Sequence, residues 1–154
     1  MYALILNLML SSTPMLDIVL GYGVDIRPSA VSAMQGVTVI EETRLAEGVR
    51  PRYHHVAYLV KRRVDFGVFL DIRFEFFNEK LMQIDLYPVS PEDMRRLQVG
   101  VCGRYGLKID EIGEGKSAGG VRVFINENAW GNKSISISVD DVLEEFDDWI
   151  DHYS

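Results

Sequence analysis

Residues 69–87 read FLDIRFEFFNEKLMQIDLY. Leu70, Ile72, Phe74 and Phe76 alternate there with Asp71, Arg73 and Glu75, so one side of an extended chain is apolar and the other charged. Asn78-Glu79-Lys80 has the composition of a turn, and beyond it Met82, Ile84 and Leu86 alternate with Gln83, Asp85 and Tyr87. Two such runs with so short a connection predict an antiparallel hairpin with one buried face.

Working towards the N-terminus, Val37–Leu45 and Tyr53–Lys61 are rich in Val, Ile, Tyr and Thr and read as two more strands, with Gly48 and Pro51 in the loop between them. Arg27-Pro28 opens a short helix over Ser29–Met34, which Gly36 ends. Thr13-Pro14 predicts a capped helix running through Leu20 to Gly21. Residues 2–10 form an apolar run. The first basic residue of the chain is Arg27 and the run is far too short to span a bilayer, so it is expected as a buried strand, not a signal or an anchor.

Towards the C-terminus, Ser90-Pro91-Glu92-Asp93 predicts a serine-capped helix with Met94, Leu97 and Val101 on its apolar side, ending at Gly103 or Gly106. Gly113–Gly120 reads as a flexible loop. Val121, Val123 and Ile125 lead to a loop around Asn128–Asn132, and Ile135, Ile137 and Val139 return with Ser134, Ser136 and Ser138 between them. The last helix covers about Val139–Tyr153, with Ser138 and Asp141 expected as its capping box. Short helices among hairpins predict a single α+β domain over residues 1–154, with a mainly antiparallel sheet and an amphipathic C-terminal helix packed on it.

The composition bounds the function. With 154 residues, 47% hydrophobic and 25% charged, the chain suits one soluble domain. A single cysteine, Cys102, permits neither an intrachain disulfide nor a cysteine-rich zinc site, and suits a cytoplasmic protein. A net charge of −7 opposes direct binding to nucleic acid or to an anionic membrane.

No reaction chemistry assembles from the motifs. Gly113-Glu114-Gly115-Lys116-Ser117 resembles the end of a phosphate-binding loop, but Asp110 stands where the pattern needs glycine, and a strand follows instead of a helix. His54 and His55 are adjacent in a strand and so face opposite ways, and His152 lies far off in sequence, so no metal or cofactor is expected. Lys61-Arg62-Arg63 is flanked by Asp65 and reads as a solvated turn. Cys102, between glycines, reads as a small buried residue. Asp71, Arg73 and Glu75 share one strand face with Asp85 across from them. An acid pair around an arginine suits acid–base chemistry, as it equally suits a cross-strand ion-pair ladder.

The charge is the informative feature. Asp140, Asp141, Glu144, Glu145, Asp147, Asp148 and Asp151 lie in the last helix, which has no Lys or Arg, and the remaining 16 acids balance 16 bases. At 100° per residue these acids fill an arc of roughly 160°. Val139, Val142, Leu143, Phe146, Trp149, Ile150 and Tyr153 fill the other side. Ordinary wet faces mix signs, because opposite charges one turn apart support a helix. An unmixed acidic face suits a basic protein partner, and Trp130, in a Gly/Asn loop, suits an aromatic anchor.

The small acidic α+β character, with the hairpin segment Phe74-Glu75-Phe76-Phe77-Asn78-Glu79-Lys80-Leu81, resembles the bacterial immunity proteins that neutralise polymorphic toxins. The resemblance implies a non-catalytic inhibitor that covers a toxin's active site, while the acidic face alone suits a toxin or another nucleic-acid-processing enzyme with a basic groove. Three other readings stand beside it. They are a phage-encoded inhibitor mimicking nucleic-acid charge, a small enzyme using Asp71, Glu75 and a histidine, and a dimer-forming subunit pairing through the Ser134/Ser136/Ser138 strand.

Overall fold

The computed structural model describes residues 17–154. The apolar run at residues 2–10 and the proposed helix start at Thr13-Pro14 lie outside the described residues. In chain order the elements are α1 (Pro28–Ser32), β1 (Val37–Leu45), β2 (Tyr53–Asp65), β3 (Val68–Phe77), β4 (Lys80–Pro88), a 3-10 turn (Pro91–Asp93), α2 (Met94–Tyr105), α3 (Ile109–Gly113), β5 (Ser117–Ala118), β6 (Val121–Glu127), β7 (Lys133–Val139) and α4 (Asp140–Tyr153). The strands form one antiparallel sheet in the order β1-β2-β3-β4-β7-β6-β5. The α+β class is as the period-two runs predict.

Alternation sends the apolar stripes to one face. Val56, Val60, Leu70, Ile72, Phe74, Phe76, Ile84, Leu86, Val123, Ile135 and Ile137 are buried there beneath Leu97 and Val101 of α2 and Ile112 of α3. The other face is polar over most of its width. Its apolar end, Tyr53, Phe77 and Met82, packs against Val142, Phe146, Trp149 and Ile150 of α4.

Turn geometry fixes the registers. Phe66 and Gly67 join β2 to β3 with φ of 52° and 76°, and Asn78 and Glu79 join β3 to β4 with φ of 47° and 64°. Both are two-residue turns with left-handed backbone, the kind whose twist matches an antiparallel pair. Phe66 tolerates this conformation because the groups around it hold it. The Arg104 guanidinium lies 3.8 Å from the centre of its ring, and the Asp65 carboxylate accepts the Phe66 N–H at 2.7 Å. Asp65 also takes Arg104 at 2.6 Å and 3.0 Å and the Leu20 N–H at 2.6 Å, tying α2 and the residues before α1 to this turn.

Gly100 makes the approach of α2 possible. A Cβ there would stand 2.6 Å from the Phe66 carbonyl oxygen, whereas one at Gly103 would meet nothing within 4 Å. Alanine gains about 1 kcal/mol over glycine inside a helix, but overpacking against backbone costs about 1–3 kcal/mol. Gly100→Ala is therefore expected to lower the melting temperature and Gly103→Ala to raise it. Equal shifts in a thermal melt would contradict this account of the packing.

Several local expectations are corrected. Asp17–Leu20 is not helical. Val19 bridges to Tyr22 around a Leu20-Gly21 turn with φ of 53° and 80°, and Ile18 and Val19 are buried. Strand β2 continues past Lys61 through a bulge, with Arg62 at φ 54°, so the basic cluster lies in a strand and not a turn. Ser90 caps nothing; its Oγ donates to Glu92 at 2.6 Å. The segment Gly113–Gly120 is folded back, with β5 paired to β6 and the Lys116 N–H donating to the Glu111 carbonyl at 3.2 Å. The Ser138–Asp141 capping box does not form. Val139 is the N-cap, the Asp140 N–H donates to the Gly120 carbonyl at 3.1 Å, and Ser138 is still strand, facing Gln83 and Arg122. Strand β7 lies between β4 and β6, so its serines cannot be a pairing edge.

Among the described residues β1 is one edge of the sheet, with Val39, Ile40 and Leu45 about half exposed, and the two-residue β5 beside β6 is the other. A register shift between Val39 and Glu41, and charges at Glu41, Glu42 and Arg44, guard β1 against pairing with another chain. No helix among the described residues is long and apolar enough to cross a membrane.

Candidate functional site: the acidic face of α4

The helix α4 lies across the end of the sheet where β7 delivers it, held by its apolar arc. The Tyr53 ring lies 4.7 Å from that of Trp149, tilted by 52°, Phe77 meets Phe146 edge-on at 5.3 Å, and the Trp149 Nε1–H donates to the Pro51 carbonyl at 3.2 Å. Anchoring that arc turns the acids outward in two ridges with helical spacing, Asp140-Glu144-Asp147-Asp151 towards β6 and Asp141-Glu145-Asp148 towards the β3–β4 turn.

Each ridge forms an ion pair with one basic residue where it leaves the sheet, and Arg27 also lines the cleft beside Asp141 and Glu145. Arg122 of β6 lies 3.7 Å from Asp140, which also accepts the Ser117 hydroxyl at 3.3 Å. Lys80 donates to Glu145 at 3.0 Å and 3.2 Å. The other acids, Asp141, Glu144, Asp147, Asp148 and Asp151, are exposed and form no ion pair with a described residue. Sequence reading missed Lys80 and Arg122. The alternation of β6 was the available signal, because the buried Val121 and Val123 require Arg122 to face the other way.

The same sheet face carries a polar network beside the helix. Register sets Glu41, Ala57, Glu75, Gln83, Ser138 and Arg122 in one row across the strands, and Leu59, Arg73, Asp85, Ser136 and Phe124 in the next. His55 pairs with Glu75 at 2.6 Å, Arg73 donates to Glu75 at 2.7 Å and to Asp85 at 3.3 Å, and Asp85 accepts the Ser136 hydroxyl at 2.5 Å and Gln83 at 2.9 Å. Asn126 donates to Ser136 to close the chain. Burial acts to raise the Glu75 carboxyl, but hydrogen bonding to His55 and the charge of Arg73 outweigh it and hold Glu75 below the usual carboxylate range.

The residues of the enzyme reading are only partly brought together. Glu75 meets His55, whereas Asp71 lies beyond Arg73 and accepts the Arg62 N–H at 3.0 Å. His54 faces the opposite side, between Glu42 and Glu79 at 3.1 Å each. The structure provides no described group of three or more His, Cys, Asp or Glu disposed to hold a metal ion. Cys102 is buried, and burial pushes its thiol up, away from the range of a nucleophile. Trp130 is 85% exposed, on a loop closed by Asn128, which accepts the N–H groups of Trp130 and Asn132. It stands at the start of β7, and α4 follows the end of that strand, so roughly 20 Å of strand separates the two. Trp130 and the acidic face are thus two surfaces, not one.

The carboxylates in these clusters give the fold an acid limit. Hydrogen bonds and charge hold Glu42 and Glu79 low. At Asp65 and Glu75, where burial acts the other way, the same partners still win. A carboxyl lowered by folding contributes stability above its unfolded value, and that contribution is lost as pH falls through the folded value. Stability is expected to be flat from neutrality to about pH 5 and to fall steeply below about pH 4. A denaturation midpoint measured against pH checks this, and stability that rose on acidification would contradict it.

Compared with protein families, curated proteins and solved structures, the chain matches none of them.

Proposed function

We propose that the chain is a non-enzymatic binding protein that presents the acidic face of α4 to a basic surface, and that its partner is a bacterial toxin that processes nucleic acid. One observation carries the reading. Five carboxylates on a single helix face are exposed with no basic partner among the described residues, although Lys80 and Arg122 supply one at each flank.

Stability does not account for them. Asp147, Asp148 and Asp151 lie towards the negative end of the helix, His152 is the only basic residue in its last turn, and aspartate is a weak helix former. Like charges one turn apart oppose the helix further. A basic groove that binds nucleic acid is the complement of such a face, and charge complementarity speeds encounter and fixes orientation.

The polar network supports a binding protein over an enzyme. Glu75 is held ionised between His55 and Arg73 instead of being poised near neutrality, and the clefts beside α4 are lined by none of His55, Arg73, Glu75 and Asp85. The test uses the full chain as bait in an extract of its host, with Asp147→Lys/Asp151→Lys as control. The expected catch is a basic nuclease or other nucleic-acid-processing protein, retained by the parent alone and inactivated stoichiometrically by adding the chain. A partner retained equally by both baits, or one that stays active when bound, would overturn the proposal.

A further inference from the structure

We propose that residues 2–10 of this chain pack over an apolar row made by Val64, Phe69 and Val89, on the half of the sheet face that α4 leaves open. Val64 and Phe69 are partners across β2 and β3, and the Val89 N–H donates to the Phe69 carbonyl at 3.0 Å, so the three stand side by side on adjacent strands. They are 61%, 60% and 47% exposed. Phe69 alternates in step with Asp71, Arg73 and Glu75, which puts the row on the face of the polar network.

Single exposed apolar side chains are ordinary, whereas a contiguous row marks a contact surface. Phe69 and Val89 also border a hollow of about 380 Å³ with Arg62, Ser90 and Asp93. The one base and one acid on its rim cancel, so the hollow favours an uncharged, apolar occupant.

The chain itself holds such a segment. Residues 2–10, YALILNLML, contain eight apolar residues, one asparagine and no charge. The described chain begins close to the row. Asp17 lies 3.9 Å from Arg104, the Ile18 carbonyl accepts the Tyr105 hydroxyl at 3.0 Å, and the Leu20 N–H donates at 2.6 Å to Asp65, the residue after Val64.

These contacts are on the α2 side of the sheet, so the route to the row passes round the β2–β3 turn. Six residues, 11–16, span up to roughly 20 Å, and layers stacked on a sheet lie roughly 10 Å apart, so the reach suffices. A segment of the same chain also meets the row at a high effective concentration, which a separate partner does not. Phe69 stands eight residues before Phe77, whose ring meets α4, so roughly 26 Å of strand separates the row from the helix and leaves the acidic face open.

The test is methyl NMR of the full chain with its Leu, Ile and Val methyls labelled. Cross-relaxation is expected between the methyls of residues 2–10 and those of Val64 and Val89. A soluble paramagnetic agent should broaden Val64 and Val89 far less than Val39 on the β1 edge, which is 52% exposed. Leu6→Ser/Leu8→Ser should bring Val64 and Val89 up to the broadening of Val39. The parent measurement decides the matter even where that variant fails to fold. Broadening of Val64 and Val89 equal to that of Val39 in the parent would overturn the proposal, as would protection of the row without contacts to residues 2–10. Mixing two differently labelled samples checks that the contact is within one chain. Cross-relaxation found only between chains would place a second copy on the row and overturn it equally.

Discussion

Trp149→Ala is expected to destabilise the chain by about 3–5 kcal/mol, the range for removing a large buried aromatic side chain. Trp149 is 8% exposed, and its ring is the centre of the contact between α4 and the sheet, 4.7 Å from Tyr53 and 5.6 Å from Tyr153. Its indole N–H also ties the helix to the Pro51 carbonyl, across 98 residues of sequence. The second core, beneath α2, shares no buried residue with this one. The loss should therefore appear first as detachment of α4. Amide exchange in Asp140–Tyr153 should accelerate before that in β3 and β4, and the denaturation midpoint should fall. A variant with parental stability would mean that the apolar arc does not hold the helix.

Arg73→Met is the second large effect. The side chains of Arg73, Glu75 and Asp85 are 21%, 14% and 7% exposed, and Arg73 is the one guanidinium between the two carboxylates, with Glu41 a further 3.6 Å away. Removing one partner from a buried ion cluster costs about 3–5 kcal/mol, because the charges left behind stay desolvated. The pH dependence identifies the cause. With Arg73 gone, burial raises the Glu75 carboxyl relative to its value in the parent, so the deficit is greatest near neutrality and shrinks as acid protonates the group. Parent and variant should converge on acidification in urea melts. A constant difference from neutral to acid pH would show that the variant lost packing and not charge balance.

What was legible in the sequence followed from periodicity. Strand β1 begins and ends where the β-branched run does, and the alternation of residues 69–87 is strong enough to place a hairpin and to name its wet face. The short helix α3 could not be read, because five residues hold little more than one turn and show no period. Lys61 and Arg62 were misleading for a different reason. Their charge marks a turn by composition, yet the bulge lets the strand carry them into solvent and continue to Asp65.

At the candidate site, helical spacing was enough to separate the acidic arc from the apolar one. It could not show that Lys80 and Arg122 each pair with one acid at the flank of a ridge, or that Ser138 belongs to the sheet and not the helix, since both depend on pairings between strands. The distance between Trp130 and α4 was hidden in the same way. Trp130 is ten residues before Asp140 in sequence, but the two lie at opposite ends of β7.

The measurement closest to the central claim is the association rate of the partner with Asp147→Lys/Asp151→Lys, read against ionic strength. Both aspartates are exposed and form no ion pair with a described residue, so the variant should fold, and its melting temperature should hold or rise as like-charge repulsion is relieved. At low salt the parent should associate about tenfold faster or more, with a steep decline as salt screens the field, and the variant should be slow and nearly salt-independent. Equal rates at low salt would contradict the account and reduce the acidic face of α4 to a solvated surface.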